Sequence, residues 1–254
     1  MKGNDIKKRV WKLTDQYGRT HFGRQWGENV THDARGMGAL CSANWIFCYD
    51  SPELALLMNP FHAALKRPHI WKADAEGKTR NANGLIRGVK KLTTLREIPL
   101  PVITMMQGVE VAVRCAKEVC SEPGWNTWAD GWLSGKDRSE ASIARAVADA
   151  KAALSDHAEC YEAIFFASYA ALAAQISELF ASKACFYADA YADACIIESS
   201  NANVVIKAAT KASKASSLVA AYYAAYAVYA AKDAKSTLPL TDIISQAMSM
   251  EKQP

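Results

Sequence analysis

Helix breakers are missing from most of the second half of this sequence. No glycine follows Gly135 and no proline lies between Pro123 and Pro239, so residues 136 to 238 contain neither. Without them the segment predicts helix after helix. No secretory leader is expected, because the start Met-Lys-Gly-Asn-Asp-Ile-Lys-Lys-Arg has no apolar core. No apolar run reaches the ~20 residues of a membrane span, so a cytoplasmic protein with no membrane partner is expected. Excess charge is small. A formal net charge of +4 and a pI near 8.6 are too mild for a domain that grips duplex nucleic acid. The seven cysteines, an odd number at unpatterned spacings, suit buried reduced thiols better than disulfides. No Gly-x-Ser-x-Gly, Walker loop or Gly-x-Gly-x-x-Gly occurs, and Gly36-Met-Gly38 is only a fragment of the last.

What the chain holds is divided at Gly135. Every glycine, all seven tryptophans and six of eight prolines lie at or before it, whereas roughly a third of residues 136 to 238 is alanine, the best helix former. The expected class is α+β: a small N-terminal mixed β-sheet domain over 1–100, followed by an alanine-rich antiparallel helical bundle over 101–254. A flat face of alanine and tyrosine on that bundle suits self-association, most simply as a dimer.

In the first domain, Lys8 to Thr14 alternates as a strand, and Asp15 to Gly18 turns it toward a second strand at Arg19 to Phe22. Asn44 to Tyr49 reads as a central strand with Trp45, Phe47 and Tyr49 on one face. Ser51 caps a helix opened by Pro52 and running through Met58, where Asn59-Pro60 interrupts it, and strands at His69 to Ala75 and Leu85 to Leu95 flank an Asn83-Gly84 turn. After the stiff Ile98-Pro99-Leu100-Pro101 linker, Thr104 with Gln107 and Asp137 with Glu140 have capping-box spacing. Trp125, Trp128 and Trp132 form one stripe. Apolar stripes continue at Ile143, Val147 and Leu154, then at Tyr161, Phe165, Tyr169, Leu172, Ile176 and Leu179, and again at Leu218, Tyr222, Tyr226 and Tyr229; Thr241 caps a last short helix.

Candidate chemistry is confined to the first domain. Cys41 and Cys48 are separated by six intervening residues, where structural zinc pairs have about two to four, so neither a metal nor a cofactor is expected. Cys48 in an apolar strand is a poor thiolate. Between Lys66 and Arg96 the chain carries nine cations against Asp74 and Glu76, a stretch that serves either as a solvated strand face or as an anion site. If an anion binds, Trp45 and Tyr49 are the stacking faces, Arg35, Arg87 and Lys90 meet phosphate, and His62 donates a hydrogen bond. Trp45 and Tyr49 equally fit ordinary core positions.

The segment Gly38 to His62, with Trp11-Lys-Leu-Thr14, Gly23-x-x-Trp26-Gly27, Leu92 to Pro101 and Trp132 to Arg138, resembles a family of tailed-bacteriophage accessory proteins. Those proteins share the first 140 residues or so and end in Ala/Tyr-rich helical tails. The resemblance implies a phage accessory protein of the bacterial host cytoplasm and supplies no activity or catalytic residues; joined to the anion-site residues above, it gives the first reading, an anti-defence sponge for a small anionic ligand such as a nucleotide immune signal. A shorter unit, Trp45 to Ala55, is similar to the strand and Pro-Glu-x-Ala helix beside the NAD pocket of ADP-ribosyltransferase-like folds. That likeness implies a divergent transferase, for which Glu28 and Glu53 are the default carboxylates and a downstream strand glutamate is lacking. The third reading is an adaptor or inhibitor working through the helical tail.

Overall fold

The computed structural model describes residues 7–20, 23–40, 42–82, 84–119, 122–153, 163, 166–168, 170–171, 212–234 and 237–249. The described residues form two compact units, one from Met1–Ile103 with Lys235–Met250 and one from Thr104–Ala234. The class is mixed α+β.

In the first unit β1 (Lys8–Thr14), β2 (Thr31–Asp33), β3 (Ile46–Cys48), β4 (His69–Ala82) and β5 (Ile86–Ile98) make one antiparallel sheet. The expected strands on either side of Asn83-Gly84 are present and longer, closed by Leu85 N donating to the Ala82 carbonyl at 2.8 Å. β1 pairs with the outer edge of β4, while β2 and β3 follow one another along the outer edge of β5. Register shifts between Lys72 and Ala73 and between Glu76 and Thr79 bend the β4–β5 ribbon. The bend brings β3 round to β1. There Trp11 and Tyr49 exchange two backbone hydrogen bonds of 2.9 Å, and the otherwise open sheet curls back on itself.

The concave side holds Val10, Ile46, Cys48, Ala73, Ala75, Val89 and Leu92, roofed by Trp26. α1 (Pro52–His62) starts as expected, with Ser51 Oγ accepting from Leu54 N at 3.0 Å and Pro52 in the first turn. It buries Leu54, Ala55, Leu57 and Met58 and packs against β1.

Two strand expectations are corrected. Among the described residues Arg19 and Thr20 do not pair along β1: Arg19 bridges to Gln25 and its carbonyl accepts from Asp15 N at 2.8 Å, while β1 finds its partner in the distant β4. The Asp15 carboxylate accepts from Tyr17 N and Arg19 N, at 2.8 and 2.7 Å, and this side-chain turn diverts the chain. The Asn44 to Tyr49 strand is shorter than expected and lies along the edge of β5, with Trp45 and Tyr49 buried on one side and Ile46 and Cys48 on the other.

In the second unit, α2 (Met105–Val119) opens on the expected capping box, with Gln107 N donating to Thr104 Oγ1 and Thr104 N to Gln107 Oε1 at 3.2 and 2.9 Å. In α3 (Pro123–Leu133) Trp125 and Trp132 are buried and Trp128 is half-buried; Trp125 Nε1 donates to Ser168 Oγ at 2.8 Å. α4 (Glu140–Ala153) is capped by Ser139 rather than Asp137, whose carboxylate instead accepts from the Ser139 N–H. Ile143 and Val147 are buried there; the stripe from Tyr161 to Leu179 named above lies outside the described residues, as does Leu154.

α5 (Ala212–Ala234) reverses one expectation. Its buried line is Ala220, Ala224, Ala227 and Ala231, and Tyr222 and Tyr229 stand exposed beside it. α5 packs on α2, where a methyl built on Gly108 would lie 3.9 Å from that of Ala224, so small side chains set a short interaxial distance. Every regular element described between 104 and 234 is helical. α6 (Leu240–Ser249) starts just after Pro239, which leaves Thr241 inside it, and it groups with the first unit, burying Leu240, Ile243, Ile244 and Ala247.

The turn after β1 yields a test. Gly18 has φ 74°, and a Cβ there would lie 2.7 Å from the Trp26 carbonyl oxygen, whereas one on Gly27 meets only Val30 at 3.6 Å. Gly18→Ala is expected to cost about 1–3 kcal/mol in urea denaturation, with Gly27→Ala costing less than about 1.

Candidate functional site

Alternation along β1 sends Val10, Lys12 and Thr14 to the concave side. Lys12 is thereby buried, although it is a lysine. The Trp11–Tyr49 bridge, extended by one residue, sets Cys48 across from Lys12 and Asp50 across from Val10. Lys12 Nζ donates to the Phe47 carbonyl at 2.7 Å and lies 5.4 Å from the centre of the Trp26 ring. Trp26 is held over it by an Nε1 bond to Thr20 Oγ1 at 3.1 Å and by an edge contact with His32. Among the described residues Lys12 has no carboxylate partner. Burial pulls its ammonium down to about 8 from 10.5, and nearby Arg24 adds to the shift. The same burial pushes the Cys48 thiol up to about 12, which keeps it protonated and weakly nucleophilic at neutral pH.

Beside this pair stands an ionic cluster. Arg87 grips Asp50 with two hydrogen bonds, Nε at 2.9 Å and Nη2 at 2.6 Å, and Lys8 Nζ reaches the same carboxylate at 3.0 Å. Burial alone would raise the Asp50 carboxyl, but the bonds from Arg87 and Lys8 outweigh it and hold it below its ordinary range. The hydrogen bond to Asp50 likewise raises Arg87. Lys8 and Arg87 thus stand against one carboxylate.

The six residues expected to meet a ligand occupy separate places. Tyr49 and His62 come together: Tyr49 Oη lies 3.4 Å from His62 Nδ1, with the rings stacked at 6.0 Å. They join α1 to the sheet, and burial drives the His62 imidazole down to about 4 and the Tyr49 phenol up. Trp45 is buried over Gly88, its Nε1 donating to the Gly38 carbonyl at 3.3 Å. Arg87 is held by Asp50, Lys90 lays its stem over Gly36, and Arg35 is exposed. Because Arg87 is ion-paired, replacing it unbalances Asp50; it is not a loosely held surface cation. Lys8, Lys12 and Asp50 were not singled out from the sequence. The one available signal was Lys12 in phase with Val10 rather than with Trp11 and Leu13.

Among the described residues no group of three or more His, Cys, Asp and Glu side chains is arranged to hold a metal, and no helix is long and apolar enough to cross a membrane. Comparison with protein-family models, with curated proteins and with solved structures gave no match.

Two pH effects follow. The folded pKa of Lys12 lies below its unfolded value, so its burial cost is fully present below pH 8 and disappears as pH rises through 10.5. The stability gap between Lys12→Met and wild type should therefore close by about 3 kcal/mol over that window, the Cys48 contribution being common to both proteins. For His62, stability is fully present above pH 6.5 and is lost as pH falls toward 4, by about 2 kcal/mol, because the unfolded chain takes up the proton first. His62→Gln should flatten that acid limb in equilibrium denaturation.

Proposed function

We propose that this chain is a ligand-binding protein whose first unit takes a small anionic ligand, on the phage reading a nucleotide immune signal in the host cytoplasm. Its alanine-rich helices, on the same proposal, form an antiparallel bundle. The observation that carries the ligand reading is Lys12, an ammonium buried in the sheet's concave core with no carboxylate partner among the described residues. Such a charge destabilises the fold, and groups perturbed in this way collect at functional sites. Lys8 and Arg87 beside a single Asp50 add to the positive potential that an anion meets.

The test is thermal shift of the full chain with NAD, ADP-ribose, cyclic dinucleotides and pyrophosphate, with neutral nucleosides as controls. At least one anion should raise the melting temperature, equivalent to about 2.7 kcal/mol at a hundredfold excess over Kd, and the nucleosides should not. No shift with any of the anions rejects the reading. Mass spectrometry of the NAD sample separates a binder from an ADP-ribosyltransferase.

A second reading, an adaptor that works through its helices and self-associates, is favoured by the tyrosine ladder of α5. Rings of Tyr222, Tyr226 and Tyr229 follow one another at 5.8 and 6.1 Å, and Tyr222 and Tyr229 are exposed. Tyrosine supplies contact area at low entropic cost. Light scattering should give a dimer for wild type and a monomer for Tyr222→Glu with Tyr229→Glu; a monomeric wild type rejects self-association.

A further inference from the structure

Trp11, Lys72 and Arg96 lie side by side on three neighbouring strands. The register sets Trp11 opposite Lys72 and Lys72 opposite Arg96. Directly opposed residues share a face with Cβ atoms roughly 5 Å apart, so the three form a row across the convex side of the sheet, away from Val10 and Ala73. Trp11 and Lys72 are half-buried and Arg96 is exposed. The backbone of Trp11 is pinned on its other edge by the two bonds to Tyr49, which fixes where its side chain leaves the sheet.

Arg96 reaches this row through an irregularity. Ala73 pairs with Thr94, so an unbroken ladder would set Leu95 opposite Lys72; the shift after Lys72 sets Arg96 there instead. The result places two cations directly opposite each other, an arrangement that destabilises an antiparallel pair. No carboxylate among the described residues relieves it. Lys72 and Arg96 form no ion pair, while Asp74 is taken by Arg9 and Glu97 by His69, each at 2.8 Å.

We propose that this row binds a nucleoside phosphate, with the phosphate between Lys72 and Arg96 and the base on Trp11. The proposal goes beyond the anionic-ligand reading carried by Lys12, because the row lies on the opposite face of the sheet and would be a separate anion site. A guanidinium fork and an ammonium point charge together satisfy a phosphate, and the indole face beside them accepts any base. Two unpaired cations explain the phosphate, and an aromatic in the same row explains why the ligand carries a ring.

Calorimetric titration of the full chain with AMP, adenosine and inorganic phosphate tests it. AMP should saturate, with adenosine and phosphate each weaker by roughly tenfold or more. Lys72→Met and Arg96→Met should each weaken AMP roughly tenfold. Trp11→Leu should weaken AMP and leave phosphate unchanged. Lys78→Met, an exposed cation of β4 outside the row, should match wild type. Without ligand and at low salt, Lys72→Met should melt above wild type, because the opposed charges are relieved. If Lys72→Met and Arg96→Met bind AMP like wild type, the site is wrong while the anionic-ligand reading survives. If Trp11→Leu alone has no effect, the base contact is wrong. If AMP and phosphate both fail to bind, the row is not an anion site, whereas the reading at Lys12 falls only if NAD, ADP-ribose, cyclic dinucleotides and pyrophosphate also give no thermal shift.

Discussion

The pairing of β4 with β5 is the constraint on which the first unit depends, because every other strand takes its hydrogen bonds from one of these two. A straight ribbon of that length would leave β1 and β3 on opposite edges with nothing between them. Two register shifts bend it enough for Trp11 and Tyr49 to meet. The curl then defines an inside and an outside, and the chemistry of the unit divides along that boundary: a lone buried ammonium within, an aromatic and two cations without.

The composition of the inside explains how a lysine is tolerated there. Ala73, Ala75 and Cys48 are small, so the curled sheet does not close on large aliphatic side chains alone, and the four-carbon stem of Lys12 takes up part of the space. Its head finds one carbonyl and one ring face. One carbonyl and one ring face do not replace the ammonium's lost hydration, so its charged form costs stability at neutral pH.

Much of the element inventory was legible in the sequence because local signals specify it. Ser51 with Pro52 and Thr104 with Gln107 each carry their own chemistry and were found in place, and Leu85 N bonded to the Ala82 carbonyl closes the β4–β5 turn. What failed was non-local. The residues after Gly18 look like a returning strand, yet the Asp15 carboxylate turns them aside and the true partner of β1 lies more than fifty residues away. Asp137 has cap spacing, but its carboxylate is taken by the Ser139 N–H and hydroxyl, and Ser139 caps the helix through Ser142 N. On α5 the larger apolar residues seemed the obvious core, whereas close packing against Gly108 demands alanine. The candidate site was least legible of all. Lys12 in an alternating strand reads as solvated, and only the curl of the sheet reveals which phase of that alternation is buried.

The return of α6 to the first unit makes the helical unit an insertion: the chain leaves the first unit after Ile103 and re-enters it before Leu240. During synthesis the sheet strands emerge early, but the helix that completes their unit emerges more than a hundred residues later. The first unit therefore cannot reach its final state on the ribosome until the whole insertion has been made. Its partly built surface must wait, and the helices that fold in the interval do so as a guest tethered at both ends. Such a guest can lengthen or shorten over evolutionary time without cutting its host, provided that its two ends still meet the host at the same two points.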